Sequence, residues 1–199
     1  MLESGRYYHI YNHAVGNDNI FRKDENFLFF LKKYIEYIDP VVDTFAYCLL
    51  PNHFHIAIRV KTKKELLELR TLPKFETLAK LSDQHFVSKQ FSNFFSSYTQ
   101  AFNKQQSRKG NLFQKPFKYK CIEDDVYFKK ILHYIHFNPV HHGFVLDLRD
   151  WKYSSFESFF SEKISKVKRE EVITWFKDTD SFYEFHKREI DNKMVLELE

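Results

Sequence analysis

His53-Phe54-His55 is the first place in the 199-residue chain where residue types and spacing suggest chemistry. Two histidines at i and i+2 of a strand point to the same side, about 7 Å apart at the backbone. Both imidazoles can then reach one metal ion, although such pairs on an exposed strand face are often inert. A second grouping surrounds Tyr134. On a helix turning 100° per residue, Phe128, Ile131, Leu132 and Ile135 make an apolar stripe. Tyr134 and Asn138 lie one turn apart on the edge of that stripe, Tyr127 lies close by, and His133 and His136 fall on the far side. A phenol and an amide thus share an edge that can border the open face of a sheet. Read alone, they are better taken as a half-buried packing residue and a helix C-cap before Pro139.

Charge is unevenly spread. Residues 84–122 carry seven basic side chains (Lys89, Lys104, Arg108, Lys109, Lys115, Lys118 and Lys120) and no Asp or Glu. Residues 1–83 are nearly balanced, with 12 Lys/Arg against 11 Asp/Glu. An acid-free basic block among aromatics suits a phosphate backbone, so Lys104, Arg108, Lys109, Lys115, Lys118 and Lys120 are candidate DNA contacts. The plain alternative is a solvated charged face. The 23 Phe and 12 Tyr serve first to fill a core.

These groups need elements to hold them. Tyr7 to Val15 alternates as a strand, with Tyr8 and Ile10 on one face and His9 and Tyr11 on the other. Asp24 to Ile38 reads as a helix ending before Pro40, Thr44 to Leu50 as a strand, Pro51-Asn52 as a turn, and His53 to Val60 as a second strand. Phe54, Ile56, Ile58 and Val60 must pack on helices, which turns His53 and His55 away from that core. Residues 61–83 are charged and broken by Pro73, reading as a loop-rich or partly helical insertion. Gln90 to Gln105 reads as a helix and Phe117 to Ile122 as a strand with Lys118 and Lys120 on one face. A helix capped by Asp124 or Asp125 runs to Phe137 and is stopped by Pro139. The order β-α-β-β-α-β-α predicts an α+β fold, an antiparallel sheet with helices on one face. Beyond Asp150, residues 151–160 and 172–190 read as an acidic, mostly helical extension.

Broad classes fall away on composition. Cys48 and Cys121 lack the number and spacing of a disulfide framework or zinc site, and read as small hydrophobes. There is no apolar run of membrane-spanning length, and the first residues lack the charged-then-apolar start of a signal peptide. The expectation is a cytoplasmic protein, nucleoid-associated when bound to DNA, with no membrane partner.

Longer motifs add a resemblance. Tyr47-Cys48-Leu49-Leu50-Pro51-Asn52-His53-Phe54-His55 resembles the histidine–hydrophobic–histidine (HUH) motif of the single-tyrosine, insertion-sequence-200-like transposases. Tyr134-Ile135-His136-Phe137-Asn138-Pro139-Val140 with Gly143-Phe144-Val145 is similar to the tyrosine helix of their REP-associated branch. So are Ser97-Tyr98-Thr99, Phe102-Asn103, Gly110-Asn111-Leu112-Phe113-Gln114 and Trp151-Lys152-Tyr153-Ser154-Ser155. The likeness runs in order from about Tyr7 to Phe156. It departs at His141-His142, where the branch has a basic and a small residue, and at Lys115-Pro116-Phe117, where it has glycine–arginine–phenylalanine.

The resemblance implies a ferredoxin-like (RRM-like) HUH fold over residues 1–149, with residues 150–199 as the extension. It implies a divalent metal, Mg or Mn first, on His53 and His55, with Asn138 in the place of the family's third, amide-bearing ligand. Imidazole itself suits Mn, Fe or Zn better than Mg. Tyr134 is then the nucleophile of metal-dependent cleavage and rejoining of single-stranded or hairpin DNA, through a 5′-phosphotyrosine. Related transposases work as dimers with shared sites, which makes a homodimer the candidate assembly. Two rival readings stay open on sequence. One is a hydrolase in which His53, His55 and a third histidine such as His9 activate water. The other is a domesticated or non-catalytic single-strand-binding module.

Overall fold

The computed structural model describes residues 1–188 and Ile190. Its elements are β1 (Tyr7–His13), α1 (Asp24–Tyr37), β2 (Val42–Leu50), β3 (His53–Val60), α2 (Lys63–Arg70), α3 (Asp83–Gln105), β4 (Lys118–Ile122), α4 (Asp125–His141), α5 (Arg169–Phe176) and α6 (Thr179–His186). Four strands form one antiparallel sheet in the order β2-β3-β1-β4. With α1 and α3 as the two crossovers this is the ferredoxin-like βαββαβ pattern, and the expected α+β class holds.

Alternation of side chains splits the sheet into two faces. Tyr8, Ile10, Phe54, Ile56, Ile58 and Val60 pack under α1 (Phe27, Phe30, Tyr34) and α3 (Phe91, Phe94, Tyr98, Phe102). The other face was expected to be open. Instead α4 lies across it: Phe45, Ala57 and Ile122 pack against Phe128, Ile131, Leu132 and Ile135. The physical reason lies in α4 and the residues after it, whose apolar side chains (Phe156, Val172, Phe176, Phe182) need a partner and share that second core.

Several boundaries shift. The helix expected from Gln90 begins at Asp83, where the Ser82 side chain accepts the His85 N–H. The charged insertion includes α2, which opens with a Thr62–Glu65 capping box. Pro139 does not end α4, which continues to His141. Proline so near the end removes only one helical hydrogen bond, and the His142 N–H still reaches the Asn138 carbonyl at 3.0 Å. Asn138 is therefore inside the helix rather than its cap.

Residues 151–160, expected to be helical, form an irregular strap with one short 3-10 turn. β2 is an edge strand, and the strap and the residues after it satisfy it: Leu49 N–H donates to Tyr153 O, Ser155 N–H to Tyr47 O, and, beyond the strap, Lys168 N–H to Thr44 O. The single helical stretch read over 172–190 is two short helices, broken at Lys177 with φ +82°. Glu189 and residues 191–199 of the extension lie outside the described residues.

Candidate active site

His53 and His55 leave β3 on the face away from α1 and α3, as their alternation requires, and lie beneath α4. Antiparallel register brings β1 alongside, with His13 opposite His53, Tyr11 opposite His55 and His9 opposite Ala57. From above, α4 lowers Tyr134 and Asn138 onto the same spot. The Tyr134 ring stands edge-on to His55 (centroids 5.2 Å, 87°) and to His9 (5.9 Å, 80°). Asn138 Oδ1 is 2.9 Å from His53 Nε2. Residues 85 positions apart in sequence thus meet within one hydrogen bond. All four are out of solvent: His53, His55, Asn138 and Tyr134 are between 0 and 3% exposed.

Each histidine is tethered at Nδ1. His53 Nδ1 lies 2.8 Å from Asn52 Oδ1, and His55 Nδ1 lies 2.9 Å from His9 Nε2. Burial, only partly offset by the Asn138 contact, pushes His53 down to about 4, and burial holds His55 well below the ordinary histidine range. Both rings are therefore neutral at pH 7, the form that binds metal.

A neutral imidazole has one N–H, yet both nitrogens of His53 face amide oxygens. If Nδ1–H donates to Asn52, the Nε2 lone pair points at the Asn138 oxygen, an arrangement that a cation between them would satisfy. The Asn138 Nδ2 is also buried with no hydrogen-bond partner among the described residues. The two histidine rings have centroids 5.1 Å apart at 86°. With metal–nitrogen bonds of about 2.1 Å, two rings sharing one ion have centres about 4–5 Å apart. These residues fit a divalent ion held by His53 Nε2, His55 Nε2 and Asn138 Oδ1. Among the described residues no three His, Cys, Asp or Glu side chains group closely enough to hold one, so a protein site here needs the amide as its third ligand.

Three neighbours escaped the sequence reading. Asn52 was seen only as a turn residue. His13 stacks on His53 (4.7 Å, 16°), and His142 meets His53 edge-on at 4.8 Å. His142, in the pair that departs from the family pattern, is thus at the site, with His141 against its outer side. The alternation of β1 placed His9 and Tyr11 on one face, but only strand pairing says which residues they, and His13 beyond them, meet.

The basic block does not gather as one patch. Lys118 and Lys120 sit on β4, on the histidine face: Lys118 Nζ lies 5.7 Å above the Tyr11 ring and Lys120 Nζ 5.4 Å from the Tyr127 ring. Lys104 is in the last turn of α3, in the layer covering the opposite face. Arg108 is engaged with Asp18 (3.1 Å) and Asn103 (2.7 Å), while Lys109 and Lys115 are exposed. Of the cysteines, Cys48 is buried and Cys121 half-buried, both unpaired. Among the described residues no helix is long and apolar enough to cross a membrane.

Comparison with known proteins agrees with the motifs. Over 116 residues the chain is 30% identical to a REP-associated tyrosine transposase of Haemophilus influenzae, covering 57% of this chain and 58% of that one. The chain resembles the REP-associated tyrosine transposases. It thus spans less than two thirds of that relative's length. A solved REP-associated tyrosine transposase, bound to a REP hairpin, shares the fold with a TM-score of 0.55 and 18% identity, over 81% of this chain and 83% of that one. No family model matches the chain.

Proposed function

We propose that this chain is a DNA transposase that cleaves and rejoins single-stranded or hairpin DNA, with Tyr134 as nucleophile and His53, His55 and Asn138 as ligands of a divalent metal. The observation that carries the reading is the meeting of Tyr134 and Asn138, one turn apart on α4, with the two histidines of β3. The solved relative of the same fold is bound to a REP hairpin, which supports a folded single strand as the substrate class.

A metal in this site would polarise the scissile phosphate and hold it in place. Tyr134 Oη gives up its proton and forms a bond to phosphorus as the P–O3′ bond breaks, a net transfer of that proton to the departing oxygen. The phosphate stays on the 5′ side, joined to tyrosine, and the departing 3′ oxygen takes up a proton. Attack by another 3′-hydroxyl reverses these steps and releases the phenol, so the bond energy is kept for rejoining. Burial of Tyr134 requires α4 to shift from the sheet for a phosphate to reach it. The strand would enter from the β4 side, where Tyr11 offers a ring for stacking and Lys118 and Lys120 offer charge.

The water-activating alternative is disfavoured, because the Nε2 that His9 would bring to a metal is spent on His55 Nδ1. The decisive experiment is adduct formation. With hairpin-bearing single-stranded DNA and Mn²⁺, wild type and Tyr127→Phe should form a covalent protein–DNA adduct, and Tyr134→Phe should bind DNA without forming one. An adduct from Tyr134→Phe, or cleavage by wild type with no adduct, refutes the assignment.

A further inference from the structure

We propose that His9 is the positioning residue of the metal site: by accepting a hydrogen bond from His55 Nδ1 it fixes the plane of that ring and leaves His55 Nε2 to bind the metal. The inference rests on the metal reading above and assigns a role to a residue that takes no other part in it.

His9 lies in the centre of β1, flanked by Ala57 on β3 and Lys120 on β4, and is fully buried. Burying an imidazole costs desolvation that an apolar ring would not incur. Its hydrogen bond is the 2.9 Å contact between its Nε2 and His55 Nδ1, while its own Nδ1 has no hydrogen-bond partner among the described residues. The two rings are nearly parallel, 19° apart with centroids at 5.1 Å, and Tyr11 stacks against both. Tyr134 closes over the pair edge-on. His55 is thereby confined from its sides as well as tethered at one nitrogen.

A bond between two neutral imidazoles carries one proton, which can sit in two places. If it belongs to His9, His55 accepts at Nδ1 and carries its own proton on Nε2, which blocks metal binding. If it belongs to His55, Nε2 presents a lone pair, and His9 carries its proton on Nδ1. Only the second arrangement lets His55 serve as a ligand, because Nδ1 is occupied by His9 in both. Binding a cation therefore selects the proton position, with His9 as the acceptor that permits it. Asn52 Oδ1 stands in the same relation to His53 Nδ1. Such outer partners set the tautomer and direction of ligating histidines, and their loss typically costs 10–100-fold in metal affinity.

The test compares His9→Phe, which fills the space without an acceptor, with His9→Gln, whose amide oxygen can reach the position of the lost Nε2. Calorimetric Mn²⁺ titration of the DNA-free protein should show affinity about 10–100-fold lower in His9→Phe and within about threefold of wild type in His9→Gln. Nitrogen-15 spectra of Zn²⁺-loaded wild type should show the His55 proton on Nδ1. Unchanged Mn²⁺ affinity in His9→Phe, or a proton on His55 Nε2 in the loaded protein, overturns the inference alone. Should His9→Phe not fold, the spectrum and a tenfold loss in His9→Gln remain able to overturn it. Wild type that takes up no stoichiometric Mn²⁺ overturns the metal reading and this inference with it.

Discussion

Mild acid should unfold this protein, because six of its ten histidines are buried with no place for a second proton. Where α4 meets the last helices, His186 Nδ1–H donates to Phe182 O at 2.8 Å, so its Nε2 is bare and accepts from His136 Nδ1–H at 3.0 Å. His136 Nε2 then accepts from the Ser155 hydroxyl at 2.8 Å, and Ser155 Oγ receives the Tyr47 N–H at 2.9 Å. Burial pushes His186 down to about 3 and the adjacent His133 to about 4, with Arg188 adding to the effect on His133, and holds His136 well below its ordinary value. The folded values lie below the unfolded 6.5, so the unfolded chain takes up protons first as pH falls. Stability is complete above about pH 6.5 and is lost on the way down towards the folded values. Each such histidine costs about 1.4 kcal/mol per pH unit, hence about 2 kcal/mol at pH 5 and about 6 kcal/mol for three. A domain typically has 5–15 kcal/mol in all. The buried site histidines push in the same direction. Urea unfolding followed by circular dichroism, with chelator present, should move its midpoint down by about 2–3 M between pH 7.5 and pH 5. His186→Phe should lose about 1–3 kcal/mol at pH 7.5, since His136 Nδ1–H loses its acceptor, but its stability should fall less steeply with pH by about 1.4 kcal/mol per unit. A midpoint shift below about 0.5 M in wild type, or an unchanged slope in His186→Phe, refutes the argument.

Other perturbations test the sheet and the site. Asn138→Ala should weaken Mn²⁺ binding at least about tenfold in a calorimetric titration while leaving the fold intact; equal affinity would remove the amide from the ligand set. Converting Lys118 and Lys120 together to Ala should flatten the log–log salt dependence of single-strand affinity by about 1.4, from roughly 0.7 per phosphate contact; an unchanged slope would show that β4 does not meet the backbone. Phe54, between the two histidines but facing Phe30, Phe95 and Phe113 on the opposite side, should cost about 3–5 kcal/mol when changed to Ala. A loss under about 1 kcal/mol in thermal or urea unfolding would contradict its place in the core.

What the sequence determined by itself follows from local periodicity. The period-2 alternation of β3 put Phe54, Ile56 and Ile58 on one face and His53 and His55 on the other, because successive strand side chains must oppose. The helical period put Tyr134 and Asn138 on one edge, and motif order carried the family resemblance. Tertiary structure decided what those faces meet. That α4 folds back over the histidine face, burying Tyr134, follows from the total apolar surface of α4 and the last helices, which no local window measures. The partners of the histidines were equally out of reach, since Asn52 could be read only as a turn, and His9 and His13 come alongside through a strand register set by the whole sheet. Likewise the basic block is continuous in sequence yet divides between β4, α3 and the loops, because consecutive elements of a ferredoxin-like fold lie on different layers.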